Sequence, residues 1–234
     1  MWEALSGPQA AVGLRAGGAC CYHPDVAPFA ALDPAAVAAG GATLAAAWRD
    51  LCGLAAPGTP LSVPVDPADE ARVCAQLPGG LALEAVGTGV QMIAHGVCGS
   101  ADPKAEPLGP ADVDDMLDLI ERSRPGPFRT RTVELGGYVG RRHRGRLVAM
   151  AGRRMAPPGF AEVSAVTTDP RWRGRGLASA LVGHVAGQIR AAGAVPFLHA
   201  AAGNTGAIAL YQHLGFVVRR QVCFLRLRTP APTR

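Results

Sequence analysis

The chain has 234 residues, 49% of them hydrophobic and 18% charged, so a packed core is within reach and a disordered polar chain is excluded. Its 30 glycines and 20 prolines fall short of a low-complexity composition, and its six cysteines include no C-x-x-C pair, which argues against a zinc ribbon or a disulfide framework. Residues 1–105 carry four basic and nine acidic side chains (net −5) and residues 106–234 carry nineteen and nine (net +10), so the basic half suits a polyphosphate ligand, an anionic acceptor or nucleic acid.

The opening "MWEALSGPQAAV" contains Glu3 and has no basic leading region, so no secretory signal is expected. Cys20, Cys21, Cys52, Cys74, Cys98 and Cys223 have no histidine at ligand spacing. They read as reduced, mostly buried thiols of a cytoplasmic protein without a metal. The uncharged run "PAAVAAGGATLAAAW" is too short and too rich in Ala and Gly to span a bilayer, and no membrane partner is expected. In "AAGGATLAAAWRDLCGL", Leu44, Trp48 and Leu51 fall on one helical face. "PLSVPV" and "LALEAV" read as short strands with a helix, "PADEARVCAQL", between them, and "GVQMIAHG" reads as a further strand. "GSADPKAEPLGP" (99–110) has three prolines and no apolar period, and is expected to be a linker between a lobe of residues 1–105 and a domain of residues 106–234.

Past that point the pattern sharpens. Val113, Met116, Leu117 and Ile120 mark an amphipathic helix with acids in its first turn. "PGPFRTRTVELGGYVG" is rich in turn residues. "RLVAMAGRRM" and "FAEVSAVTT" read as strands joined by an "APPG" turn. Leu177, Leu181, Val185 and Ile189 predict a helix over 174–192, stopped by Gly193. "VPFLHAA" is a strand, and "NTGAIALYQHLGF" a helix with Asn204 as cap and Gly215 as stop. "VVRRQVCFLRLR" reads as strand, sharp turn, strand. The class is α/β, with a mixed sheet.

The segment "TTDPRWRGRGLA" sits between a strand and a helix. Helix N-termini leave amides unpaired, glycines allow close approach, and arginines add charge, so the segment suits a pyrophosphate. A Walker A loop is excluded because Lys104 is the sole lysine. A dinucleotide fingerprint fails because Ser179 stands at its third glycine position and Pro196 stands where a ribose-binding acid belongs.

Arg171-x-x-Gly174-x-Gly176-x-Ala178, followed by Asn204-x-x-Ala207-x-x-x-Tyr211-x-x-Leu214-Gly215-Phe216, resembles both halves of the acyl-CoA signature of the GNAT superfamily, the Gcn5-related N-acetyltransferases. The resemblance covers roughly residues 108–228. "PGPFRTRTVELGGYVG" looks like a subgroup with an extra N-terminal half. The resemblance implies a C-terminal acyl-CoA N-acyltransferase fold preceded by a smaller, degenerate, acyltransferase-like α/β lobe. That lobe has no R-x-x-G-x-G of its own, so one active site per chain is expected.

It implies, further, that acetyl-CoA lies in a V-shaped cleft and that an amine attacks it directly, without a covalent enzyme intermediate. Val166, Thr167 and Thr168 would bond the pantetheine arm. Arg171, Arg173, Gly174, Arg175, Gly176, Leu177 and Ala178 would hold the pyrophosphate, with Asn204, Ala207 and Tyr211 on the facing helix. Tyr211 would protonate the departing thiolate, and Glu162 would deprotonate the amine, often through water. Asn204 suits a cofactor contact or a simple helix cap. Phe128, Arg129 and Arg131 would face a small-molecule or peptide amine acceptor. His184, His199 and His213 show no partner spacing and read as structural.

Two rival readings stay open at this stage: a non-catalytic acyl-CoA sensor with the same fold, and nucleic-acid binding through the basic half. Against the second, aromatic residues make up only 5% of the chain, so stacking platforms are few, and no nucleic-acid partner is expected. A homodimer is compatible with the sequence, which does not specify one.

Overall fold

The computed structural model describes residues 1–94, 96 and 102–230. Cys98 and the start of the expected linker lie outside the described residues. A short helix α1 (Trp2–Leu5) leads into strands β1 (Gly13–Ala16), β2 (Ala19–Tyr22) and β3 (Ala30–Leu32), which form a small antiparallel sheet in that order. Helices α2 (Pro34–Ala39) and α3 (Gly41–Leu54) follow, then β4 (Pro60–Val65), α4 (Glu70–Cys74) and β5 (Ala82–Ile93). The predicted face of α3 is the buried one: Leu44, Ala47, Trp48 and Leu51 all point into the core. Their spacing of three and four residues puts them on a single stripe.

Next come β6 (Glu106–Pro107), α5 (Val113–Ser123), β7 (Val139–His143), β8 (Arg146–Arg153), β9 (Phe160–Thr168), α6 (Leu177–Ala191), β10 (Val195–Ala201), α7 (Thr205–His213) and β11 (Val217–Arg228). The main sheet has eight strands in the order β4-β11-β5-β10-β9-β8-β7-β6. Its β9–β10 pair is parallel, and its other pairs are antiparallel. Helix α6 buries Leu181, Val182, Val185, Ala186 and Ile189 against this sheet. Each fully buried branched aliphatic side chain contributes roughly 1.5–3 kcal/mol, which makes α6 a firm platform for whatever its N-terminus holds.

Two sequence expectations change here. "LALEAV" and "GVQMIAHG" are parts of one twelve-residue strand, β5. The glycines between them mark a close approach and no turn: a Cβ at Gly89 would sit 2.9 Å from the Ala200 carbonyl oxygen and 3.2 Å from the Phe224 ring. Likewise "VVRRQVCFLRLR" is a single strand, β11, with register shifts at Val218/Arg220 and Arg226/Leu227 in place of a hairpin. The hairpin is unnecessary because β5 supplies the neighbour that β11 needs, pairing from Val217↔Ile93 to Arg228↔Ala82.

The sheet therefore runs across the boundary between residues 105 and 106. β5 lies between β10 and β11, while the far end of β11 pairs with β4 from Cys223↔Val65 to Arg228↔Pro60. Apolar cores cross the same boundary. Cys223, Leu225 and Leu227 pack with Trp48 and Leu51, and Met92 packs with Leu181 and Tyr211. The second part of the expected linker is anchored as well, since Asp102 is buried and accepts from Arg141 Nε at 2.7 Å. We expect residues 106–234, produced alone, to be poorly soluble, because loss of β5 opens the facing edges of β10 and β11. Size-exclusion chromatography checks this; a monodisperse fragment with full activity would show the first half to be dispensable.

Candidate active site

The site begins with a failure of pairing. β9 and β10 are partners at Val195↔Phe160, Pro196↔Ala161 and Phe197↔Glu162. Beyond these residues β9 stays with β8 and β10 stays with β5, so the two strands diverge. A cleft of about 1000 Å³ opens between them. β9 also carries a bulge. Gly152 pairs with Ser164 and Met150 with Thr167, leaving one extra residue on β9, and Ala165 takes a left-handed φ of 52°. A bulge bends its strand and frees peptide groups from the ladder. Val163 to Thr168 line the cleft on this side. Thr167 Oγ1 donates to Ser123 Oγ at 2.7 Å, while the buried Thr168 hydroxyl has no protein partner among the described residues.

At the end of β9, Asp169 caps a short 3₁₀ turn by accepting from the Arg171 amide at 3.0 Å. Gly174 and Gly176 follow with φ of 72° and 73°, and α6 starts at Leu177. A Cβ at either glycine would meet nothing within 4 Å, so the left-handed backbone itself is what calls for glycine. The first bond into the helix runs from the Ala180 amide to the Gly176 carbonyl at 3.0 Å. Among the described residues, the amides of 174–179 donate to no protein acceptor. Six successive free N–H groups at a helix N-terminus make an anion cradle. Arg173, Gly174, Gly176, Leu177 and Ala178 line the cleft as the sequence predicts.

Arg171 and Arg175 do not line it. Arg171 is drawn back to Asp169, 3.2 Å away, and Arg175 lies over the Trp172 ring at 4.5 Å. Both therefore act on the shape of the loop. Asp169 is also bonded by Arg122. Hydrogen bonds from Arg171, aided by the charge of Arg122, hold its carboxyl down at about 2. Trp172 lines the cleft, a contribution that no sequence motif marked.

The facing wall comes from α7. Asn204 Oδ1 accepts from the Ala207 amide at 3.2 Å, so Asn204 caps the helix and also lines the cleft. Ala207 and Tyr211 line it too. Tyr211 is 8% exposed, packs edge-on against Phe216, and makes no side-chain hydrogen bond among the described residues. Burial pushes its phenol up to about 12, so it keeps its proton at neutral pH.

Glu162 departs from its expected place. It is 0% exposed and does not line the cleft. Arg154 grips both oxygens, at 2.9 and 2.5 Å, and His199 Nδ1 lies 2.8 Å from Oε1. Burial alone would push the Glu162 carboxyl up, but the charge and hydrogen bonds of Arg154, joined by His199, outweigh it and hold the group well below the usual carboxylate range. A group so placed is a poor direct base for an amine in the cleft. His199 and Arg154 themselves line the cleft. The sequence could not show this, because Glu162 and His199 sit on different strands, 37 residues apart.

The N-terminal half supports this buried pair. Gln9 Nε2 donates to the Arg154 carbonyl at 2.6 Å, Tyr22 donates to Gln9 Oε1 at 2.7 Å, and the Arg154 guanidinium lies 4.4 Å from the centre of the Phe29 ring. On the other rim, the segment from Ser123 to Phe128 lines the cleft, with Phe128 packed edge-on against Tyr138. Arg129 and Arg131 lie outside the cleft lining. Arg131 is tied to Glu134 at 2.7 Å, and its amide donates to the Asp25 carbonyl. Among the described residues no acidic side chain lines the cleft, whereas Arg124, Arg154 and Arg173 do.

The family model for FR47-like proteins matches residues 138–225. A crystal structure of a GNAT-family protein from Novosphingobium aromaticivorans, described as an acetyltransferase, superposes with a TM-score of 0.83 at 35% identity, covering 98% of this chain and 96% of that one. The fold is shared with a GCN5-related N-acetyltransferase from Kribbella flavida (TM-score 0.59, 16% identity, 94% and 89% covered). It is shared too with a tandem GNAT protein of the clavulanic acid biosynthesis pathway (0.57, 17%, 94% and 82%). An uncharacterised protein of Mycobacterium leprae is 36% identical over 120 residues, which are 47% of this chain and 33% of that protein, so the match spans a third of that relative's length. With a full-length relative at 35% identity and the same splayed-strand architecture, the chain belongs to the GNAT family of acetyltransferases.

Proposed function

We propose that the protein is an N-acetyltransferase that moves an acetyl group from acetyl-CoA to a primary amine. The observation that carries this reading is the run of six unpartnered amides, 174–179, at the end of a cleft walled by unpaired strand edge and closed on one side by Tyr211. The cleft's size and chemistry fit the group. The amides and Arg173 would hold the diphosphate, the bulged edge of β9 from Ser164 to Thr168 would bond the pantetheine amides, and Asn204 and Ala207 would flank the arm. Bound there, acetyl-CoA supplies an activated acyl group, whose C–S bond breaks as the acceptor's C–N bond forms.

The chain's own residues then have separate tasks. Tyr211, protonated and lining the cleft, gives a proton to the departing thiolate. Ser123 to Phe128 form one rim for the acceptor. A cleft lined, among the described residues, by three arginines and no acid favours an acceptor that carries a carboxylate beside its amine over a lysine-rich segment. In this reading residues 106–234 carry the cleft, and residues 1–105 brace its floor through Gln9, Tyr22 and Phe29. No helix among the described residues is long and apolar enough to cross a membrane, and we place the enzyme in the cytoplasm.

Two substitutions test these assignments. Gly176→Asp puts a carboxylate among the free amides and a side chain on a left-handed backbone. It is expected to abolish acetyl-CoA binding in calorimetric titration, and a folded variant of unchanged affinity would refute the cradle. Tyr211→Phe keeps the ring packed and removes only the proton donor. We expect near-normal acetyl-CoA affinity and a kcat lower by on the order of 10² to 10⁴. A kcat equal to the parent's would remove Tyr211 from the chemistry.

A further inference from the structure

Of the side chains bonded to the buried Glu162 carboxylate, Arg154 and His199 line the cleft, and His199 is the one able to accept a proton there. Glu162 contributes no surface to the cleft, and Arg154, His199 and the Met155 amide (3.3 Å) occupy its oxygens. His199 lines the cleft, and its Nδ1 holds Glu162. We infer that His199 is the group that takes the proton from the acceptor ammonium, and that Glu162 acts behind it as a fixed orienting carboxylate. The inference rests on the acetyltransferase reading of the same cleft.

The geometry decides the tautomer. An ionised Glu162 only accepts hydrogen bonds, so Nδ1 of His199 must carry a hydrogen. In the neutral ring Nε2 is then a bare acceptor. The Gln91 amide nitrogen lies 3.2 Å from it and matches that role as donor. Gln91 is itself held through Oε1 by Arg219 Nη1 at 2.6 Å. An ammonium N–H of the acceptor can replace the Gln91 N–H, exchanging one donor for another.

The proton account is simple. One N–H bond of the acceptor ammonium breaks and its electron pair stays on nitrogen, making it nucleophilic; the proton joins Nε2. The resulting imidazolium has Glu162 as its anionic partner and returns its proton to solvent after turnover, while the second N–H proton, lost as the C–N bond forms, restores the Tyr211 phenol that has protonated the thiolate. Arg154 shares Oε1 of Glu162 with His199, the Phe197 and Phe224 rings stand edge-on to the imidazole at 5.8 and 5.7 Å, and Arg219 is linked to it through Gln91.

Two measurements test this. The first needs no turnover: nitrogen chemical shifts of the His199 ring in the ligand-free protein at neutral to mildly alkaline pH. A hydrogen on Nδ1 with a bare Nε2 is expected, and a hydrogen on Nε2 alone would overturn the proposal while leaving the acetyltransferase reading intact. The second is His199→Gln, with folding checked by thermal melting and acetyl-CoA affinity by calorimetry. We expect unchanged acetyl-CoA affinity, a kcat/KM for the amine lower by on the order of 10² near neutral pH, and a deficit that shrinks as pH rises and free amine becomes abundant. A variant that matches the parent across that pH range would overturn the proposal.

Discussion

The pair of Arg154 and Glu162, where β8, β9, β10 and the N-terminal half meet, is the interaction on which the site depends. A carboxylate removed from water costs several kcal/mol unless it is paired and its hydrogen bonds are complete. Glu162, fully buried, has both. Both carboxylate oxygens are taken by Arg154, one is shared with His199 and the other accepts from the Met155 amide. The guanidinium is covered by Phe29, and the backbone of Arg154 and Ala156 is bonded by Gln9. Breaking such a pair strands a charge, typically at a cost of about 3–5 kcal/mol. The pair thus joins three things: the point where β9 ends its pairing with β10, the setting of His199, and the contact of Gln9 and Phe29 with the rest of the chain.

The same residues sit at the apex of the cleft. Glu162 is the last residue of β9 to pair with β10, opposite Phe197. Two residues farther along each strand, Ser164 and His199 already line open space. On the outer side β10 is held by β5, and β5 by β11. The N-terminal half therefore enters the active-site sheet twice, as the strand that stabilises β10 from outside and as the cover over Arg154. A rigid frame with one designed gap is a sound way to present free backbone groups to a long, polar ligand, because an unpaired strand edge and an uncapped helix start otherwise lack partners.

Much of this was legible in the sequence. Leu177, Leu181, Val185 and Ile189 marked α6, and Gly174 and Gly176 marked its approach, because period and glycine chemistry are local signals. Asn204 and Tyr211 likewise lie on one short helix whose cap and stop are both visible. Local signals fail where partners come from far away. The glycines of "AVGTGVQ" read as a break between strands, yet Gly89 exists to let Ala200 and Phe224 close in. "VVRRQVCFLRLR" reads as strand, sharp turn, strand, yet it is one strand whose neighbour comes from the first half of the chain. Arg171, Arg175, Arg129 and Arg131 were placed by motif and loop position, which cannot tell an arginine aimed at a ligand from one drawn to Asp169, Trp172 or Glu134. His199 reads as structural in the sequence because its carboxylate partner is a neighbour only in space.

The account stands on the cradle of free amides at the mouth of α6. Backbone hydrogen exchange, followed with and without coenzyme A, reads those amides one by one. Protection of residues 174–179 by about tenfold or more on adding the ligand is the expected result, with smaller protection along 164–168. Exchange at 174–179 that is unchanged at saturating coenzyme A would contradict the assignment of this cleft as the acyl-CoA site.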